Sequence, residues 1–205
     1  MFSQRETQVE KKPKLDTPSI IKLASLLVVI IITYFLNATG AFAPGWIVLT
    51  TKIPNLPTTT KYFGIFKKSD NASGFVIAAC ITIIVAIASF LLTAFGFGRA
   101  VREIYRFGYS RYARGSFYVV IAGALVNIGF TVATIALIAK AVSNYNAQLQ
   151  TTFAHFSLGY CAWLCVASVV MSFGIIGISM YVAIKDCVDE EEEPVQPTGL
   201  WSVPL

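Results

Sequence analysis

Few side chains in this sequence have the chemistry for catalysis or metal binding, and their spacing does not assemble a site. Cys161 and Cys165 are four residues apart, which places both thiols on one face of a helix. Membrane redox enzymes use a Cys-x-x-Cys pair instead, so packing is the better interpretation of these two cysteines. His155 is the only histidine, and it has no carboxylate or cysteine beside it in sequence. We therefore predict no catalytic residue, no metal and no cofactor, and a protein that is not an enzyme.

The elements that must position these residues are four long apolar segments. Of the 205 residues, 56% are hydrophobic and 13% are charged, whereas a soluble domain carries about 25% charged residues. The segments cover residues 23–43, 75–97, 116–139 and 156–184, and none contains an acid, a basic residue or histidine. Each is long enough to cross a bilayer core of about 30 Å as a helix.

Proton relays and ion-coupled transport need ionisable groups within the membrane. The four segments therefore predict a membrane-spanning bundle that carries out neither process.

Lysine and arginine indicate the orientation. The tail 1–22 holds five basic residues, and the connector between the second and third segments holds five arginines. Basic residues gather on the cytoplasmic side, so we predict that this connector and both tails, 1–22 and 186–205, are cytoplasmic. The loops 44–74 and 140–155 are then extracellular, although four lysines in the first loop weaken the pattern. The protein is expected in the plasma membrane, and its net charge of +5 needs no nucleic-acid partner.

The first segment has a second interpretation. Its basic start and the small residues around Ala41 and Ala43 resemble a cleavable signal peptide. The length of the apolar stretch and the proline at position 44 favour a retained signal anchor instead.

Small and polar residues inside the segments predict how they pack. Ser89, Thr93, Gly123, Gly129 and Gly177 are examples of small side chains that recur at helical spacing. Such residues let helices approach closely in lipid, so they predict a packed bundle, with contacts to other subunits as the alternative. The most polar side chain of the third segment is Asn127, for which we expect an interhelical hydrogen bond worth about 1 kcal/mol or less.

The first loop predicts a small β-sheet beside the membrane. Residues 46–51 and 61–66 are rich in β-branched and aromatic side chains, which favour strands. Pro54 and Pro57 interrupt regular structure between them.

Three short motifs resemble those of the claudin superfamily, which also includes epithelial membrane proteins and auxiliary channel subunits. They are Pro44-Gly45-Trp46, Gly64-Ile65-Phe66 and Phe156-Ser157-Leu158-Gly159-Tyr160. The resemblance covers about residues 20–185, is nearest to divergent Clc-like members, and implies an all-α, left-handed four-helix membrane bundle with a small extracellular β-sheet from the first loop. It also marks four loop residues as the motif: Pro44, Trp46, Gly64 and Phe66.

The resemblance implies a role at cell–cell junctions, in adhesion or membrane organisation. Self-association through the loop around Trp46 and Phe66 is expected on this interpretation. The alternative is an auxiliary subunit that modulates the gating or trafficking of an ion channel or receptor. One departure matters: the family follows its second motif with two cysteines that staple the loop, whereas here Lys67 and Lys68 follow Phe66 and the next cysteine is Cys80. This departure leaves strand formation at tight junctions open, and a generic four-span protein remains the alternative to the family.

The tails and loops hold three candidate sites for modification or binding. Cys187 lies just after the fourth segment, where a cytoplasmic cysteine is a candidate for palmitoylation. Asn71 begins a glycosylation sequon in the first loop. Val203 and Leu205 at the C-terminus are the candidate ligand of a PDZ scaffold.

Overall fold

The computed structural model describes residues 16–54, 56–66, 74–149 and 153–187. Within these residues the chain forms four long helices: α1 (Thr17–Phe42), α2 (Gly74–Phe107), α3 (Arg111–Gln148) and α4 (Tyr160–Tyr181). A π-helical turn, Val182–Asp186, continues α4. All four helices are long and apolar enough to cross a membrane, and only 22% to 33% of their most apolar windows is buried inside the protein. The remaining apolar surface faces outward, as lipid requires, so the predicted four-span bundle is confirmed.

The helices α2 and α3 form a close hairpin. Its turn is Gly108–Ser110, where Gly108 has a positive φ of 76°. Ser110 caps α3 by accepting a hydrogen bond of 3.4 Å from the backbone N–H of Ala113. The hairpin packs tightly because Gly123 lies directly against Thr93. The helix α1 packs mainly along α4, and α4 also contacts α3.

Both hairpin helices extend beyond the predicted spans 75–97 and 116–139. At 1.5 Å per residue, the 34 residues of α2 and the 38 of α3 are about 51 and 57 Å long, which exceeds a bilayer core of about 30 Å. In the predicted second loop, 140–155, the first nine residues continue α3 to Gln148. Its last turns stay helical since Ala141 and Val142 are buried.

A three-stranded antiparallel sheet closes one end of the bundle, which we call the sheet end. Its strands are β1 (Ile47–Thr51), β2 (Thr59–Phe63) and β3 (Ala154–Leu158), in the order β2-β1-β3. The sheet predicted from the first loop is therefore present, although β2 ends at Phe63 rather than at residue 66.

The third strand comes from the second loop. The prediction that the fourth span starts at residue 156 is wrong, because residues 156–158 pair with β1 and α4 begins only at Tyr160. Their apolar side chains look continuous with the helix in sequence, but β1 offers them an edge to pair with.

Two apolar clusters fill the interior. One lies towards the end that carries the α2–α3 turn, which we call the connector end, and includes Leu26, Ile30, Ile104, Phe117 and Val182. The other lies at the sheet end and includes Trp46, Ile65, Ile83 and Ile138.

Polar side chains separate the two clusters on every helix. Asn37 donates a hydrogen bond of 2.7 Å to Asn127, and Asn127 donates one of 2.9 Å to Ser172. Tyr34 shares hydrogen bonds of 3.0 and 2.8 Å with Ser89 and Thr93. The expected interhelical hydrogen bond of Asn127 is confirmed, and these residues form what we call the polar layer.

Candidate functional site

The strands of the sheet run away from the helix ends, and the connection between β1 and β2 is at the edge away from the helices. Ile47, Phe63 and Leu158 pair in the row next to the helices, and Thr51, Thr59 and Ala154 pair in the last row. With five residues per strand at about 3.3 Å each, the last row stands roughly 13 to 17 Å from the first. The described residues next to Thr51 and Ala154 therefore lie at the edge of the sheet away from the helices.

The backbones of the two loops meet at this edge of the sheet. The backbone N–H of Lys52 donates a hydrogen bond of 2.7 Å to the carbonyl oxygen of Phe153, which extends the β1–β3 pairing past the strands. Beside this bond, Ile53 is 49% exposed, Leu56 62% and Phe153 50%. We call these three side chains the apolar tip. Grouped apolar exposure of this kind marks an interaction surface more often than scattered exposure does.

The residues of the loop motif lie at the opposite, membrane side of the sheet. Trp46 is fully buried in the sheet-end cluster. Its backbone N–H donates a hydrogen bond of 3.1 Å to Phe63, and its carbonyl accepts one of 2.9 Å from Gly159. The structure thus places Trp46 in the interior, where it cannot contact a neighbouring molecule, and the expectation that it is a contact residue gives way to a role in holding the loop.

The other three motif residues surround this tryptophan's end of the loop. A Cβ on Gly64 would lie 3.4 Å from the Cα of Pro44, so the two segments run close together. Phe66 stacks on Phe42 at the end of α1, with ring centroids 5.4 Å apart, and remains 41% exposed. We call Pro44, Trp46, Gly64 and Phe66 the base anchor.

The loop is held without a disulfide among the described residues. The Cys80 thiol donates to the carbonyl of Ile65 at 3.2 Å, and the Cys161 thiol donates to that of Ala43 at 3.4 Å. The side chain of Asn146 forms two hydrogen bonds of 2.8 Å with the backbone of Phe156, which fixes β3 to the end of α3. Hydrogen bonds and burial thus do what the missing pair of cysteines does elsewhere.

Close backbone contact at the start of α4 completes the base. Gly159 lies against the carbonyl of Gly45, and a Cβ on Gly45 would collide with the Tyr160 ring. Glycine at both positions is therefore required for the loop to reach the helix.

Sequence reasoning missed three of these contributors: Phe153, Asn146 and Asn37. Phe153 and Asn146 act through β3, which the sequence does not predict, because residues 154–155 are expected in the second loop and residues 156–158 in the fourth segment. Asn37 lies in the first apolar segment, and its pairing with Asn127 follows only once the helix register is known.

The connector end has different chemistry. Lys22 of α1 forms an ion pair of 2.8 Å with Asp186 and lies 5.4 Å from the centre of the Tyr181 ring. Cys187, the candidate for palmitoylation, is 2% exposed and belongs to the connector-end cluster. Acylation of this thiol therefore requires the turn around it to open. Asn71, Val203 and Leu205 lie outside the described residues.

The arrangement exposes apolar side chains on a hydrogen-bonded scaffold. Across residues 16–54, 56–66, 74–149 and 153–187 there is no group of three or more His, Cys, Asp or Glu side chains that could hold a metal ion. The projecting side chains of the tip are apolar and their scaffold is rigidly hydrogen-bonded.

A comparison with known families places this architecture. A family model described as tight junction protein, claudin-like, matches residues 16–193 of the chain. No curated protein sequence matches it.

Proposed function

The chain belongs to the claudin-like tight junction protein family, and from this premise we propose that it acts at cell–cell contacts, where its apolar tip binds a second copy on the neighbouring cell. The observation that carries the proposal is the tip itself. Ile53 and Leu56 come from one loop and Phe153 from the other, and all three are exposed beside the backbone hydrogen bond that joins the two loops at the edge of the sheet away from the helices. The family is one of structural junction proteins, so we infer no catalytic role.

The proposal needs the sheet end to face outward. Support comes from the connector end, where Arg99, Arg102, Arg106, Arg111 and Arg114 flank the α2–α3 turn. Since arginines accumulate on the cytoplasmic side, both termini are cytoplasmic and the sheet is extracellular at the plasma membrane. In this orientation Val203 and Leu205 are available to a PDZ scaffold inside the cell.

A single tip is small, so adhesion requires many copies of the protein in each membrane. Three exposed side chains bury far less than the roughly 1,200 Å² of a stable protein interface. Copies held in one membrane engage the opposing membrane together, and linked contacts gain affinity through their effective concentration. The base anchor serves this mode by holding each tip in one position.

The test replaces the tip and follows the protein in contacting cells. The triple variant Ile53→Ser, Leu56→Ser, Phe153→Ser is expected to reach the surface normally but to lose its enrichment at borders between two expressing cells. Tyr62→Ser is the matched control, because Tyr62 is an exposed aromatic residue of β2 away from the tip. Enrichment of the triple variant equal to that of the unaltered protein would show that the tip is not the adhesive surface.

A second candidate function rests on a different surface. An apolar groove of about 390 Å³ runs along the outside of the α2–α3 hairpin and is lined by Thr82, Leu125, Val126, Gly129, Phe130 and Ala133. A Cβ on Gly129 would meet nothing within 4 Å. A groove lined by a glycine lets the helix of a larger membrane protein approach closely. An auxiliary subunit of a channel needs a surface of this kind.

Co-purification in mild detergent tests the auxiliary role. Gly129→Leu fills the groove and is expected to release a bound companion, whereas Gly177→Leu on α4, which also points into open space, keeps it. Recovery of the unaltered chain by itself at every expression level counts against this role.

A further inference from the structure

The connector end contains a cavity that neither adhesion nor the auxiliary role uses. It has a volume of about 550 Å³ and lies between the hairpin helices, with Arg99 from α2 and Arg111, Tyr112, Gly115, Ser116 and Val119 from α3. This volume lies within the range of small-molecule sites, about 300 to 1,000 Å³. Arg111 lies at the end of the lining nearest the turn, Arg99 lies closer to the level of Ser116, and Val119 is apolar.

The two guanidinium groups in this cavity have no carboxylate partner in the described part of the chain. The ion pair found there joins Lys22 to Asp186, away from both arginines. Glu103 is the only acidic residue between positions 99 and 114, and it forms no ion pair within 4.0 Å among the described residues. The guanidinium group of each arginine is planar and presents parallel N–H donors, from which phosphate oxygens can accept hydrogen bonds.

The position of the cavity distinguishes a lipid phosphate from a soluble one. Arg99 follows the apolar segment of α2 by two residues, and Ser116 begins the apolar segment of α3. Tyr112 is largely exposed at this level, where aromatic side chains meet lipid headgroups. Val119 lies one helical turn deeper than Gly115, or about 6 Å. A ligand that is charged at one end and apolar at the other, such as an anionic phospholipid, matches this gradient.

We propose that this cavity binds the headgroup of an anionic phospholipid, with its phosphate held by Arg99 and Arg111 and its glycerol end directed towards Val119. The proposal goes beyond adhesion and does not depend on it. Binding by the purified protein is also independent of which way the chain faces in a cell.

The experiment measures lipid retained by the full-length protein. The chain is reconstituted in phosphatidylcholine nanodiscs that contain phosphatidylinositol bisphosphate, re-purified in mild detergent, and its bound lipid is quantified by mass spectrometry. The double variant Arg99→Gln, Arg111→Gln is expected to retain at least about tenfold less of this lipid, because both charge-assisted contacts are lost.

A charge-matched control separates a site from a charged surface. Arg102→Gln, Arg106→Gln removes the same charge from the same end of the hairpin but changes no residue that lines the cavity, so it is expected to retain the lipid. Equal loss in both double variants overturns the proposal, since it shows attraction to the basic surface in general.

A second variant tests the cavity without altering charge. A Cβ on Gly115 meets nothing within 4 Å, so Gly115→Leu fills the cavity without a clash and is expected to lower lipid retention to the level of the arginine variant. Gly98→Leu, which also points into open space but lies off the cavity, is its control. Unchanged retention in Gly115→Leu contradicts the proposal.

Soluble phosphates distinguish the source of the ligand. Inositol trisphosphate and inorganic phosphate are added during re-purification, and we expect the lipid to stay bound, because its apolar end contributes to binding. Displacement of the lipid by either soluble anion at matched concentration shows a phosphate site that does not recognise lipid, and overturns the assignment.

Discussion

The two ends of the bundle are built on opposite principles. At the sheet end, two loops are fixed by backbone pairing, a buried tryptophan and close glycines, and the exposed side chains include Ile53, Leu56 and Phe153. At the connector end, the turn Gly108–Ser110 is short, the nearby surface is rich in arginine, and one ion pair joins α1 to the end of α4. The difference teaches that burial and backbone hydrogen bonds give the sheet end its shape, whereas charge determines what the connector end can bind.

Removing the buried tryptophan of the sheet end should cause the largest loss of stability. Trp46→Ala empties the centre of the sheet-end cluster, and large-to-small changes of this kind cost about 3 to 5 kcal/mol. We expect a clearly lower unfolding temperature in detergent and poor delivery to the cell surface. Trp163→Ala is the control, because Trp163 is 71% exposed on α4 and should change stability by less than about 0.5 kcal/mol. Equal stability of the two variants would mean that Trp46 does not hold the loop.

The polar layer between the ends should give an intermediate effect. Asn127→Leu leaves the Asn37 amide and the Ser172 hydroxyl without the partner that they have now. The expected loss is about 1 to 2 kcal/mol, since a buried group without a partner costs this much and membrane hydrogen bonds are modest. Thermal unfolding of purified protein measures it. Thr82→Val, which removes the hydrogen bond of 2.8 Å to Thr134 at a partly buried position, should cost less; the reverse order is the contradicting result.

The ion pair at the connector end should give the smallest effect. Lys22 is one-third exposed, and pairs open to solvent contribute about 1 kcal/mol or less. We expect Lys22→Met and Asp186→Asn each to lower stability slightly, and a double-mutant cycle to give a coupling energy that falls as salt rises. A coupling above about 2 kcal/mol, insensitive to salt, would show that this end is also held by a buried contact.

The sequence predicted the architecture well because lipid leaves few alternatives. Long uncharged segments must be helices, and the β-branched loop residues formed strands close to their expected places. The failures lie where two environments meet. Phe156 and Leu158 are as apolar as the helix that follows, so only their pairing with β1 reveals a strand. Residues 140–148 are polar enough for a loop, yet α3 continues through them because their inner face is buried.

The candidate site was predicted less completely than the fold. The motif residues were identified, but the burial of Trp46 could not be predicted, because it depends on packing with α2, α3 and α4. The apolar tip could not be assembled in advance, because Phe153 joins Ile53 and Leu56 only through the strand that was missed.

The length of α3 has a mechanical consequence. It runs without interruption from Arg111, which lines the cavity, to Asn146, which holds β3, and it is about 57 Å long. A rod of this length is a lever: a tilt of about 5° around its Arg111 end displaces Asn146 by roughly 5 Å, which is close to the spacing between neighbouring strands. Such a tilt of α3 at the connector end would therefore shift β3, which Asn146 holds, by about the spacing between two strands.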